Sequence, residues 1–115
     1  MKTDQSELFL ASEIIREKIF LHTKKELPYS SAVSVENMED RSDRELLSIT
    51  ARIHVETPSQ KGILIGAGGN MIKSIGRASR IELEKIFGTR VYLDLMVRVE
   101  KNWSRDPRAL RRLGY

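Results

Sequence analysis

Leu8, Ala11, Ile15 and Ile19 recur at helical spacing on one face, and Leu10, Ile14 and Leu21 widen that face. The period predicts an amphipathic helix over residues 6–25, with Glu13, Arg16, Glu17 and Lys18 on the far side and Pro28 stopping it after Leu27. The period then shortens to two. Val33 and Val35 mark a strand over 31–39, and residues 40–44 read as a polar turn. Leu47, Ile49, Ala51, Ile53 and Val55 next alternate strictly with Ser48, Thr50, Arg52, His54 and Glu56, which puts one set in a core and the other outside. Thr57-Pro58-Ser59 opens a short helix, with a hydroxyl as cap and proline at its first position, and the helix ends at Ile65 before Gly66.

Asn70 is the N-cap expected for a longer helix to Phe87, closed by Gly88. On it Ile72, Ile75, Ser79, Leu83, Ile86 and Phe87 are expected to pack on the sheet, with Gly76 allowing a close crossing. Val91, Leu93, Leu95, Val97 and Val99 form the inner face of a last strand, and Tyr92, Asp94, Met96, Arg98 and Glu100 its outer face. Asp106-Pro107 starts a short helix over 108–113. Three strands with one apolar face each require helices on that side only. The expected fold is therefore α+β, two layers, with a three-stranded mixed sheet in the order helix-strand-strand-helix-helix-strand.

Composition narrows the classes. The chain has 115 residues and no cysteine, which excludes disulfides and thiolate metal sites and fits a reducing, cytoplasmic compartment. Its apolar runs are too short for a bilayer, and the polar start at Met1-Lys2-Thr3-Asp4-Gln5 does not read as a secretory leader. The charge is unevenly spread. Residues 1–58 hold 8 basic and 11 acidic groups, residues 59–90 hold 6 and 2, and residues 101–115 hold 5 and 1. Positive charge thus gathers at the glycine-rich segment and the tail, as a polyanion-binding surface requires.

That segment is Ile65-Gly66-Ala67-Gly68-Gly69-Asn70-Met71-Ile72-Lys73. Glycines allow positive φ and close approach of another backbone, and a helix start offers N–H groups and a positive dipole end. Lys73, Arg77 and Arg80 form a basic stripe at i, i+4 and i+7, with Lys61 on the other side of the loop. A nucleic-acid backbone laid here would meet the amides of Gly68, Gly69 and Asn70, with bases over an apolar floor near Ile65, Ile72 and the adjoining strand. With only three Phe, three Tyr and one Trp, stacking is not the expected device. The bland alternative is a tight helix–helix turn without a ligand. The glycines match neither a Walker motif nor a dinucleotide fingerprint, because no Gly-Lys-Ser or Gly-Lys-Thr occurs and Met71 stands where the last glycine would. His22 and His54 are isolated and read as surface or packing residues, Trp103 as sealing the core edge, and no nucleophile–base or metal set suggests an enzyme.

These segments resemble the C-terminal KH domain of the Era family of bacterial ribosome-assembly GTPases, a type II KH domain. The resemblance rests on Leu10-Ala11-Ser12-Glu13-Ile14-Ile15-Arg16-Glu17-Lys18-Ile19-Phe20, on Glu26-Leu27-Pro28-Tyr29, on Ile65-Gly66-x-x-Gly69-x-x-Ile72-Lys73, and on Val99-x-x-x-Trp103 through Arg108-Ala109-Leu110-Arg111-x-Leu113-Gly114-Tyr115. It implies a KH domain over 6–115 with an extension from about 101, and residues 1–5 as a linker or disordered start. It further implies single-stranded ribosomal RNA as partner, near the 3′ end of 16S RNA, with the 30S subunit and a GTPase domain of the parent protein. Peripheral membrane contact, at the inner face of the cell membrane, is a further expectation. No cofactor is expected here, since GTP and magnesium belong to the GTPase domain, and the chain reads as an isolated C-terminal domain. Ala67 and Gly68 lack the basic residue often found between the two glycines, so the resemblance places more weight on Lys61, Lys73 and Arg77. The alternative is a protein-interaction module that docks through Tyr92, Met96, Arg98 and Tyr29 and carries a vestigial clamp. A membrane-surface role of the basic tail, Arg105, Arg108, Arg111 and Arg112, is a third reading.

Overall fold

The computed structural model describes residues 5–23, 31–41, 43, 45–101 and 106–112. The expectations for residues 1–4, Lys24 to Tyr29, Trp103, Arg105 and residues 113–115 lie outside the described residues. Along the chain run α1 (Gln5–Thr23), β1 (Ser31–Arg41), β2 (Leu46–Val55), α2 (Pro58–Ile65), α3 (Asn70–Phe87), β3 (Arg90–Val99) and α4 (Pro107–Arg112). A 3-10 turn at Ala67–Gly69 joins α2 to α3.

The alternating segments form one mixed sheet in the order β1-β2-β3, with the elements in the expected order helix-strand-strand-helix-helix-strand. β1 and β2 are antiparallel, as two strands joined by a short turn can be. β2 and β3 are parallel, in the register Leu47↔Val91 through Val55↔Val99. Parallel strands need a crossover, which α2, the glycine turn and α3 supply. Strand β2 is central, and its inner residues Leu47, Ile49, Ala51, Ile53 and Val55 are all fully buried. On them pack Ala11, Ile14, Ile15 and Ile19 of α1, Leu64 of α2, and Ile75 and Leu83 of α3. Strand β3 lies at the sheet edge, so Leu93, Leu95, Val97 and Val99 face inward as expected but stay half-buried.

Several local expectations change. β1 continues to Arg41, through the start of the segment read as a turn. Its register shifts between Val35 and Asn37, where Glu36 is the extra residue of a bulge. The bulge inverts the alternation and turns Met38 into the core opposite Ile49. Leu10 and Leu21 do not widen the packed face of α1; they are 39% and 57% exposed. They sit roughly 120–140° around the helix from Ile15, beyond the reach of the sheet. Ile86 is likewise exposed, at the border of a cavity between α1 and α3. Across that cavity the Lys18 ammonium donates to Glu82 Oε1 (2.7 Å) and ties the two helices together. Thr57 caps α2 in a full capping box, with its side chain accepting from Gln60 N–H and Gln60 reaching back, and Pro58 follows at the first helical position.

The other sheet face holds a polar cluster where the sequence suggested an isolated histidine. His54 is 3% exposed and its Nε2 lies 2.8 Å from Ser34 Oγ. Because that hydroxyl also donates to Glu36 Oε1 at 3.0 Å, Nε2–H is the donor to Ser34, and Nδ1 keeps a lone pair. Nδ1 has no hydrogen bond and stands 3.7 Å from Glu100 Oε1. Glu100 in turn is hydrogen-bonded by Arg112 of α4 and approached by Arg98 (3.8 Å). Burial pushes the His54 pKa below its ordinary value, and Glu100 and Glu36 only partly oppose this. The folded protein therefore takes up this proton at lower pH than the unfolded chain, which does so as pH falls through about 6.5. The contribution to stability is whole above that pH and is lost as pH falls below it. Thermal melts at about pH 7.5 and 5.5 should show a drop in Tm that shrinks in His54→Gln; equal drops in both proteins would clear His54 of this role.

Candidate nucleic-acid interface

Gly66 closes α2 with its N–H on Gly62 O (2.9 Å) and adopts φ 73°, ψ 175°. That region is open almost only to glycine. Gly68 (φ 61°) and Gly69 (φ 78°) follow in the left-handed region and reverse the chain into α3. The N-cap of α3 is Gly69, not Asn70, which is already helical at φ −66°, ψ −35° and caps nothing with its side chain. A left-handed cap residue favours glycine, and this is why the asparagine is displaced by one position. Two of the three amides expected to face a phosphate also close the turn itself: Gly69 N–H donates to Gly66 O (3.1 Å) and Asn70 N–H to Ala67 O. Ala67, Gly68 and Asn70 are exposed at the crest, and Gly66 is packed against Met71.

Beyond the crest, starting at Ile72 in the first turn of α3, a groove of about 390 Å³ lies between α3 and β3. Ile72, Lys73, Gly76, Arg77 and Arg80 line one wall, and Leu93, Asp94 and Leu95 the other. Ile72 and Lys73 thus stand where the sequence placed them. Ile65 and Lys61 sit on the α2 side of the turn and do not line the groove, so the floor is built by α3 and β3 alone. A Cβ at Gly76 would meet Leu95 Cδ1 at 3.6 Å, an ordinary contact. Gly76 therefore leaves open space in the groove and is not required by a tight crossing. Arg80 departs from the simple stripe, because its Nη1 donates to Glu84 Oε1 at 3.1 Å. Neither Lys73 nor Arg77 forms an ion pair among the described residues.

In the sequence Glu84 is given no role, and Asp94 is set only on the outer face of the last strand. Neither belongs to a motif, and only the parallel register brings β3 beside α3. That register adds main-chain chemistry as well. Glu100 N–H donates to Val55 O (2.7 Å), so even-numbered residues of β3 direct their amides and carbonyls to β2. Leu93 and Leu95, one residue out of phase, direct theirs to the open edge. The groove thus combines apolar walls, cations on one side and main-chain donors and acceptors on the other.

A larger cavity of about 570 Å³ opens between α1 and α3, but Glu13, Glu17 and Glu82 outnumber Arg16 in its lining, and Arg16 and the nearby Lys18 are already paired with them. Tyr92 (60% exposed) and Met96 lie on the outer sheet face with Arg98, while Tyr29 lies outside the described residues. Among the described residues no helix is long and apolar enough to cross a membrane, and no acidic or histidine cluster could hold a metal.

Comparison with known proteins fits this geometry. The KH domain family matches residues 26–104. GTPase Era of Syntrophus aciditrophicus is 57% identical over the whole chain, and GTPase Era of Geobacter metallireducens is 54% identical over 98% of it. The chain spans 38% of the length of each. A solved structure of Era in complex with MgGDPNP and nucleotides 1506–1542 of 16S ribosomal RNA superposes with a TM-score of 0.90 at 40% identity. The match covers all of this chain and 38% of that one.

Proposed function

The chain belongs to the KH domain family, and from that premise we propose that it binds single-stranded RNA across the Gly66–Gly69 turn and the α3/β3 groove. The segment bound is the 3′ end of small-subunit ribosomal RNA, and the chain acts as the RNA-binding part of an Era-like GTPase in 30S assembly, in the cytoplasm. The observation that carries this reading is the exposed glycine crest followed, along α3, by Lys73 and Arg77 in the lining of a groove with Ile72, Leu93 and Leu95. The relative solved with a 16S fragment supports it.

In this reading the sugar–phosphate backbone runs over Ala67 and Gly68, where a side chain at Gly68 would otherwise stand in its path. The positive end of α3, Lys61, Lys73 and Arg77 stabilise it. The bases lie in the groove against Ile72, Leu93 and Leu95. They hydrogen-bond to the outward main chain of β3, without aromatic stacking. Nothing in this role requires bond-making by the chain.

Fluorescence anisotropy with a labelled single-stranded oligomer of the 16S 3′ end should show binding that weakens with salt. Lys73→Ala should lower the slope of log affinity against log salt by about 0.7, one phosphate contact, and weaken different sequences about equally. No detectable binding, or a preference for duplex over single strand, would remove this function.

A further inference from the structure

Glu84, one helical turn beyond Arg80, does not line the groove but bridges the two elements that form its walls. Its Oε1 accepts from Arg80 Nη1 at 3.1 Å, and its Oε2 accepts from the main-chain N–H of Val91 at 2.9 Å, near the start of β3. One carboxylate thereby joins a groove cation on α3 to the strand that forms the facing wall. Arginine preceding glutamate is the weaker order for an i, i+4 pair on a helix, so the helix alone would hold this contact loosely. The second anchor, on Val91, is what fixes the carboxylate.

The three cations of the stripe are consequently not equivalent. Lys73 and Arg77 are unpaired by carboxylates among the described residues, whereas the charge of Arg80 is already offset. A guanidinium carries five N–H donors in a rigid fork. With Nη1 donating to Glu84, the remaining donors of the fork are not used by that contact, and Arg80 is one of the residues that line the groove with Leu93 and Asp94. Resting on the RNA reading above, we propose that Glu84 is a positioning residue that holds Arg80 to read acceptors on a base edge instead of neutralising a phosphate. The ligand class is a base with adjacent acceptor atoms, as guanine presents at O6 and N7.

The test uses the full chain and single-stranded oligomers of the ribosomal 3′ end, each base replaced in turn, over a range of salt. In the unaltered chain, Arg80→Gln should leave the salt slope unchanged, because that charge is not spent on phosphate. Glu84→Gln frees the guanidinium and should steepen the slope by about 0.7, and adding Arg80→Gln to it should remove the gain. Arg80→Lys keeps the charge but not the fork, and should flatten discrimination at one base position by roughly tenfold at an unchanged slope. A merely structural Glu84 would instead lower affinity for all oligomers in parallel, with no change in slope, and that result overturns the proposal. So does Arg80→Lys retaining discrimination at every position. Absence of binding by the unaltered chain would overturn the RNA reading and this one together, whereas salt-dependent binding with an unmoved Glu84→Gln slope overturns this one alone.

Discussion

Gly69→Asp and Gly68→Asp should each weaken RNA binding by roughly 30- to 100-fold while the domain stays folded, because a like charge set against a phosphate costs several kcal/mol. The folded state tolerates the change for reasons visible in the turn. A Cβ at Gly68 or Gly69 would meet no atom within 4 Å, so neither position is crowded. Both are left-handed, a conformation that Asp adopts at modest cost. At Gly69 the new side chain would even sit at the N-cap of α3, where a carboxylate is favourable. What changes is the crest itself, which acquires a negative charge where the backbone of a polyanion must pass. Gly69→Asn separates charge from bulk, since it keeps the left-handed preference and the cap without the charge, and it should retain most of the affinity. Anisotropy titrations beside circular-dichroism melts decide the matter. Near-wild-type affinity in a folded Gly69→Asp protein would take the crest out of the binding site.

Gly66→Ala should have the opposite signature, a loss of stability first and of binding second. Its added Cβ would lie 2.6 Å from Met71 Cβ and 2.9 Å from the Met71 amide nitrogen. The first is a side-chain root and the second is main chain, so neither can swing aside. The backbone at φ 73°, ψ 175° is strained for any residue with a Cβ. Strain and overlap together put the cost at about 3–5 kcal/mol. The Tm should fall on the order of 10 °C or more. If the domain survives, α3 must move away from α2, and Lys73 and Arg77 move with it. A Tm within about 2 °C of the parent would show that the turn does not pack on Met71 as described.

Much of this site can be read from residue order, and the parts that cannot have physical reasons. The inner residues of β2 and β3 alternate without interruption, so the sheet faces are legible, as is the α3 face through Ile72, Ile75, Ser79 and Leu83. Thr57-Pro58 and Gly88 mark helix ends because capping chemistry is local. The bulge at Glu36 is not legible, since nothing in Ser34-Val35-Glu36-Asn37 distinguishes an extra residue from a regular one. Asn70 misleads because asparagine caps well in general, while here the left-handed turn demands glycine one residue earlier. The burial of His54 depends on Ser34, Glu100 and Arg112, which come from three other segments. The pairing of Arg80 is visible in the i, i+4 spacing, but its fixation by Val91 is tertiary and appears only once β3 is in place.

The parallel pairing of β2 with β3 has a consequence for when this surface exists at all. Leu46 pairs with Arg90, 44 positions further along, and all of α2, the turn and α3 lie between them. Contacts so distant in sequence form late, because the intervening loop must be closed before they repay its entropy. A chain still leaving the ribosome with α3 already coiled would have the basic helix but no opposite wall. Discrimination among bases is therefore a property of the finished domain, and the nascent chain can offer a transcript little more than unspecific charge.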